Sequence, residues 1–227
     1  MTNRLQVVTG YIPIEGHINV PGEPRPEPWY KERGKLFDQL VFPVTFYEQN
    51  YTDWVWFKKL ADLYPGAQVA QADNPLKNTV EYHAVQHQKN QWLFDADAHG
   101  EVLVWLDYGI AHQPNVTAEV INDFLCRVAE NEIDAVTMPG CLPAEKRSPL
   151  YPNWRFCGST VICPANLAGP FFEATLQVAA DRLFFDNQVT WEVNDWADAE
   201  LRGDVPFAWY PGDHNSTQFT NYTGTTT

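Results

Sequence analysis

The 227 residues carry 15 Lys plus Arg against 29 Asp plus Glu, a net charge of -14. A chain this acidic lacks the basic footprint of broad nucleic-acid binding, and no apolar run approaches membrane-spanning length. Hydrophobic residues at 44% and aromatics at 14% suffice for a sizeable core in one large domain or two small ones.

Leu5 to Tyr11 has the composition of a first strand ending in a Gly turn. Gly10 there would let a ligand approach the backbone, and Tyr11 would stack on a flat base, or the pair is an ordinary strand end. Pro13 to Pro28 holds five prolines and is expected to be an extended loop. Trp29 to Leu40 has helical spacing weakened by Gly34. Leu40 to Tyr47 is a second strand, with Pro43 marking an edge or bulge. Asp53 to Tyr64 fits a helix, and Gln68 to Ala72 a weak strand.

Thr79 to Phe94 is a helix with Thr79 as its cap. His83 and His87 stand at the i, i+4 spacing of a helical metal pair. No acidic partner or third ligand lies near them, so the spacing favours a solvated face. Lys89 falls among polar residues of the same helix, either solvated or poised for an anion.

Val102 to Leu106 is a short apolar run, as in a strand buried on both faces, and it ends in Asp107. Ligands of open α/β sheets sit beyond the carboxyl ends of strands. Asp107 is therefore a candidate metal or substrate ligand, with an N-cap of the next turn as the equal alternative.

Val116 to Ala129 is a helix, and Ile133 to Met138 a strand stopped by Pro139-Gly140. Leu142 to Asn153 is a loop with a small basic cluster, Lys146-Arg147. Trp154 to Cys163 is a strand carrying Gly158-Ser159-Thr160, whose glycine permits close approach and whose hydroxyls can bind a polar ligand. Asn166 to Leu183 is helical after Pro170, and another helix begins near Glu192. Phe207 to Tyr210 is a late strand before the Pro211-to-Asn215 turn. Alternating strands and helices predict an α/β fold with a mostly parallel sheet.

Cys126, Cys141, Cys157 and Cys163 show no C-x-x-C spacing, so reduced structural thiols are expected rather than zinc or disulfides. The N-terminus lacks a signal-peptide core, from which a cytoplasmic protein with no membrane span is inferred. Dinucleotide, P-loop and nucleophile-elbow motifs are absent.

The ordered set Val7 to Tyr11, Lys89, Trp105 to Gly109, Gly158 to Thr160, Asp186 to Gln188 and Gly212 to Asn215 resembles a GT-A type nucleotide-sugar glycosyltransferase. More narrowly it resembles the HtrL/WlaTC-like bacterial group, whose pattern has a Lys-rich helix before a Trp-(Ile/Leu)-Asp-(Phe/Tyr)-Gly strand. The resemblance implies a single GT-A (Rossmann-like) domain over residues 1–222, its sheet flanked by helices, with a disordered tail at 223–227. It implies metal-assisted transfer from a nucleotide-sugar, a UDP-sugar first, to a saccharide hydroxyl.

In that reading Thr9, Gly10 and Tyr11 lie beside the nucleobase and ribose. Lys89, Asp107, Tyr108, Gly158, Ser159 and Thr160 make further donor contacts, and Arg155 would add a positive one. Asp107 stands for the D-x-D carboxylate of the family. This chain has Asp-Tyr-Gly, so the second Asp is missing. A manganese or magnesium ion would rest on Asp107 and His214, with Asp213 as a helper. Glu192 and Asp195 are the candidate bases, while Asp186, third of the catalytic carboxylates, and Gln188 contact the sugar. Alternatives are a phage-type transferase acting on hydroxymethylated DNA bases and a non-catalytic carbohydrate-binding module. The module would stack sugars on the nine Trp and ten Tyr. A metal-dependent hydrolase is a lesser option, and the sequence leaves the oligomeric state open.

Overall fold

The computed structural model describes residues 4–14, 26–48, 56–73, 75–96, 100–145 and 148–224. Most of the Pro-rich loop, Lys146-Arg147 and the last three residues lie outside them. The expected α/β architecture is observed. One sheet is built from β1 (Leu5–Tyr11), β2 (Val44–Glu48), β4 (Val102–Leu106), β5 (Val136–Gly140), β6 (Thr160–Pro164) and β8 (Phe207–Pro211). Its order is β2-β1-β4-β6-β5-β8, and only β6 runs antiparallel to its neighbours. A small parallel pair, β3 (Gln68–Val69) with β7 (Gln188–Val189), stands apart.

Strands β4, β5 and β6 are buried at every position because both faces are covered. Val8, Leu103, Trp105, Met138 and Val161 point into one core. That core is closed by α2 (Trp56–Asp62), α3 (Val80–Asp95), α5 (Ala168–Asp181) and α6 (Glu192–Arg202). Val7, Val102, Val104, Leu106 and Ile162 point into the other core. The second layer comprises α4 (Ala118–Glu130) and the short α7 (Thr217–Thr220), with α1 (Glu27–Gly34) at the edge of the sheet. A one-residue slip of β4 would exchange the two sets, so its register is firmly specified.

Helix α4 is the simplest element. Ile121, Phe124, Leu125 and Val128 recur at helical spacing and are buried, and the Thr117 hydroxyl accepts the Val120 amide at 3.3 Å. Thr79 caps α3 in the same way, accepting from the Tyr82 amide at 3.1 Å.

The solvated face expected for α3 is not found. His83, His87, Gln88, Lys89 and Asn90 are all buried, together with Trp92 and Leu93. The helix packs against α2, α5, α6 and the sheet, so many of its polar residues are buried, while Phe94 and Asp95 at its end reach solvent.

Gly10 is needed for packing. A Cβ there would lie 2.5 Å from the Trp92 ring, which stacks between Tyr47 and Trp105. The space that the sequence suggested for a ligand is thus held by an indole. Gly10→Ala is expected to cost about 1–3 kcal/mol through overpacking, measured by urea denaturation. A loss below about 0.5 kcal/mol, the range of inconsequential substitutions, would show that Trp92 moves freely.

Among the described residues no helix is long and apolar enough to cross a membrane.

Candidate active site at the carboxyl edge of the sheet

Strands β1 and β4 are parallel neighbours, and the chain runs on from β1 to β2 on one side and from β4 to β5 on the other. This is a topological switch point, and the crevice beyond the strand ends is the place where open α/β sheets bind ligands. Thr9, Gly10 and Tyr11 end β1 there, and Asp107, Tyr108 and Gly109 follow β4. Tyr11 packs on Tyr30 of α1 at 5.0 Å and on Tyr108 at 5.6 Å. Tyr108 also lies against Phe37 and Phe46, and it fills the space that a side chain at Gly34 would need. Burial, aided by the neighbouring Tyr30 and Glu27, pushes the Tyr11 phenol above its ordinary range. Thr9 is fully buried and its hydroxyl has no partner.

Beside this aromatic group lies a buried ion cluster. Lys89 Nζ is 3.0 Å from Glu192 Oε1 and 3.3 Å from Asp107 Oδ1, and it donates to the Gly158 carbonyl at 2.7 Å. Burial works against the ammonium charge, but Asp107 and Glu192 outweigh it and the Lys89 pKa is raised. One cation with two carboxylates leaves a net charge of about -1 in the cluster. Asp107 is the member that reaches solvent, its side chain 36% exposed against 3% for Lys89 and Glu192. Trp105 Nε1 donates to Asp107 Oδ1 at 2.8 Å, so both bonds to the carboxylate fall on one oxygen.

The Gly158-Ser159-Thr160 step has a structural use. A Cβ at Gly158 would stand 2.5 Å from Glu192 Oε1, so the glycine makes room for the ion cluster. Ser159 and Thr160 are buried, and their hydroxyls donate to Gln218 Oε1 at 2.7 and 2.8 Å. Gln218 Nε2 in turn bonds to Gln113. These hydroxyls tie α7 to the start of β6 instead of facing the crevice. Arg155, expected near an anion, is 2% exposed and grips Glu200 through two bonds at 2.7 and 2.9 Å.

The three candidate acids fall in different places. Glu192 adjoins the crevice, and its second oxygen, Oε2, is buried with no partner. Asp195, one turn further along α6, is 1% exposed with both oxygens engaged: Arg182 Nε on Oδ1 and His87 Nε2 on Oδ2, each at 2.8 Å. Burial raises its pKa, but Arg182 and His87 more than reverse this, leaving it lowered. As placed, this carboxylate is bonded on both oxygens and closed to solvent. Asp186 is exposed and lines a hollow with Arg182, Asp198 and Arg202. Gln188 belongs to the separate β3–β7 pair.

His214 does not share the neighbours of Asp107. It sits in the turn after β8 beside Asp213, whose Oδ1 is 3.2 Å from His214 Nδ1, and next to the thiols of Cys141 and Cys157. Those two Sγ atoms are 3.4 Å apart. A bond with Cys157 and another with His214 pull the Cys141 pKa down to about 6, against burial. The Cys157 thiol is pushed up by the bond to Cys141 and by burial. The His214 imidazole is raised, chiefly by Cys141 and Asp213. Sequence spacing offered no signal for this group. Its members come from the end of β5, the segment before β6 and the turn after β8.

No family model matches the chain, and no curated protein sequence does. Neither comparison returns the HtrL/WlaTC-like bacterial group. Among solved structures, the chain is similar to mouse xyloside xylosyltransferase 1 in its apo form, with 9% identity and a TM-score of 0.45. The match covers 89% of this chain and 83% of that one. At that score the likeness carries no weight, and the class of protein is defined by strand order and site: an α/β domain with a switch-point crevice holding one exposed carboxylate.

Proposed function

We propose that the chain is a glycosyltransferase that binds a nucleotide-sugar, UDP-sugars first, in the β1–β4 crevice and passes the sugar to a saccharide hydroxyl. The observation that carries this reading is Asp107, a half-open carboxylate at the switch point within a cluster of net charge about -1. Tyr11, Tyr30 and Tyr108 supply flat apolar surface for a base.

Asp107 offers a hard divalent cation one carboxylate oxygen, so the donor's diphosphate and water would supply its other ligands. Lys89 and Trp105 both occupy Oδ1 of Asp107, leaving the other oxygen for a manganese or magnesium ion. When bound, such an ion would neutralise charge developing on the diphosphate leaving group. Lys89 holds Asp107 in place, and Glu192 holds Lys89. In this reading Glu192 is a positioning residue, and Asp195 serves the fold.

A DNA acceptor finds less support. Lys31 pairs with Glu27 at 2.5 Å, Lys35 pairs with Glu32, and Arg33 stacks on Trp29 at 3.7 Å. Lys31 and Lys35 thus each face a carboxylate, and Lys146-Arg147 lie outside the described residues.

Titration calorimetry with a panel of UDP- and GDP-sugars plus manganese tests the proposal. At least one donor is expected to bind, and Asp107→Asn is expected to weaken it by roughly tenfold or more, about 1.4 kcal/mol. Failure of every donor to bind would refute the transferase reading. Sugar binding without nucleotide release would make the chain a carbohydrate-binding module.

A further inference from the structure

We propose that Cys141, Cys157 and His214 form a site for one soft divalent cation of the zinc class. Their ligand atoms all lie within 4.8 Å of one another. A tetrahedral zinc ion with Zn–S near 2.3 Å and Zn–N near 2.0 Å sets two sulfurs roughly 3.8 Å apart and a sulfur and a nitrogen roughly 3.5 Å apart. The observed Sγ–Sγ separation of 3.4 Å lies about 0.4 Å inside the sulfur–sulfur spacing. Side-chain adjustment alone would seat the ion.

The frame around the three ligands is already fixed. The Cys157 amide donates to the Pro139 carbonyl at 2.8 Å, and the Gly212 amide donates to the Gly140 carbonyl at 3.0 Å. These bonds lock the segment before β6 and the turn after β8 to the end of β5. Asp213 adds the support that ligating imidazoles commonly have, a carboxylate hydrogen-bonded to the ring. Its Oδ1 is also 3.7 Å from Cys141 Sγ, so Asp213 or a water molecule is placed to complete four-coordination.

Ligand chemistry separates this ion from the one proposed at Asp107. Thiolate and imidazole select zinc-like metals, whereas manganese and magnesium prefer oxygen. The inference therefore stands apart from the transferase reading. The bound ion would staple three segments of the crevice edge, residues 141, 157 and 214, that lie far apart in sequence.

The test is metal titration of the full chain under reducing conditions. Zinc is titrated against a chromophoric chelator, and cobalt serves as the optical probe. One tightly held equivalent is expected, with a tetrahedral cobalt spectrum carrying a sulfur charge-transfer band. Cys141→Ser, Cys157→Ala and His214→Ala should each weaken binding roughly tenfold or more. His214 lies in a partly exposed turn, so its variant keeps the fold in play. Cys126→Ser, an exposed thiol elsewhere, should leave binding unchanged. Three results would overturn the proposal: no thiolate band with cobalt, equal weakening by Cys126→Ser, or a Cys141–Cys157 disulfide formed in air by a protein that takes up no metal when reduced.

Discussion

Lys89→Met is expected to lower folding stability by about 3–5 kcal/mol, the usual result of removing one partner from a buried ion pair. Methionine keeps the length of the side chain, so the loss is electrostatic more than steric. Glu192 would be left 3% exposed with its charge unopposed, and the Gly158 carbonyl would lose its donor. The double variant Lys89→Met with Glu192→Gln should recover most of the loss, because no isolated charge then remains in the interior. Denaturant unfolding of the wild type, the two single variants and the double variant closes the cycle. A loss below about 1 kcal/mol for Lys89→Met would be the signature of a solvated surface pair. It would show that the ammonium is not enclosed between the two acids.

Acidification will destabilise the protein through His83. Burial, with the nearby His87, pushes the imidazole pKa down to about 3. In the unfolded chain it titrates near 6.5. Between these values the unfolded state holds a proton that the folded state excludes, so stability falls as pH falls, by about 1.4 kcal/mol per unit at the steepest. Above about 6.5 this group contributes no slope.

The cause is visible in the packing. His83 is fully buried against Trp191, with Nε2 3.4 Å from the Ala70 carbonyl and Nδ1 without a partner. The charged groups around it are His87 and Asp195, which act in opposite senses, and Lys77 over the Tyr82 and Trp191 rings. Asp195 adds a separate, lower window. Its folded pKa is depressed, so its contribution is complete above the unfolded carboxylate value of about 3.9 and is lost only below it. Urea midpoints in steps from about pH 7 to about pH 4.5 measure the His83 slope. His83→Leu should flatten it, and an unchanged slope in that variant would acquit His83.

What the sequence disclosed followed from periodicity and from chain ends. Helix α4 is visible because one face is apolar and the other polar. The β4 strand is visible because a continuous apolar run stops at a carboxylate, and the switch point confirms that Asp107 lies at the carboxyl edge. Helix α3 was opaque for the converse reason. Packed against three helices and the sheet, it buries a run of polar residues, and its pattern imitates a solvated face. The Asp195–Arg182–His87 network links residues of three helical segments, so no local motif announces it. The cysteines looked unrelated because Cys141 and Cys157 are 16 residues apart with a turn-rich loop between them. The sheet, not the spacing, brings their sulfurs together.

Gln218 acts as a clasp. It fastens Ser159, Thr160 and Gln113 from a point close to the end of the described chain. Truncating this one side chain would strip three buried polar side chains, on segments 58 to 105 residues upstream, of their common partner.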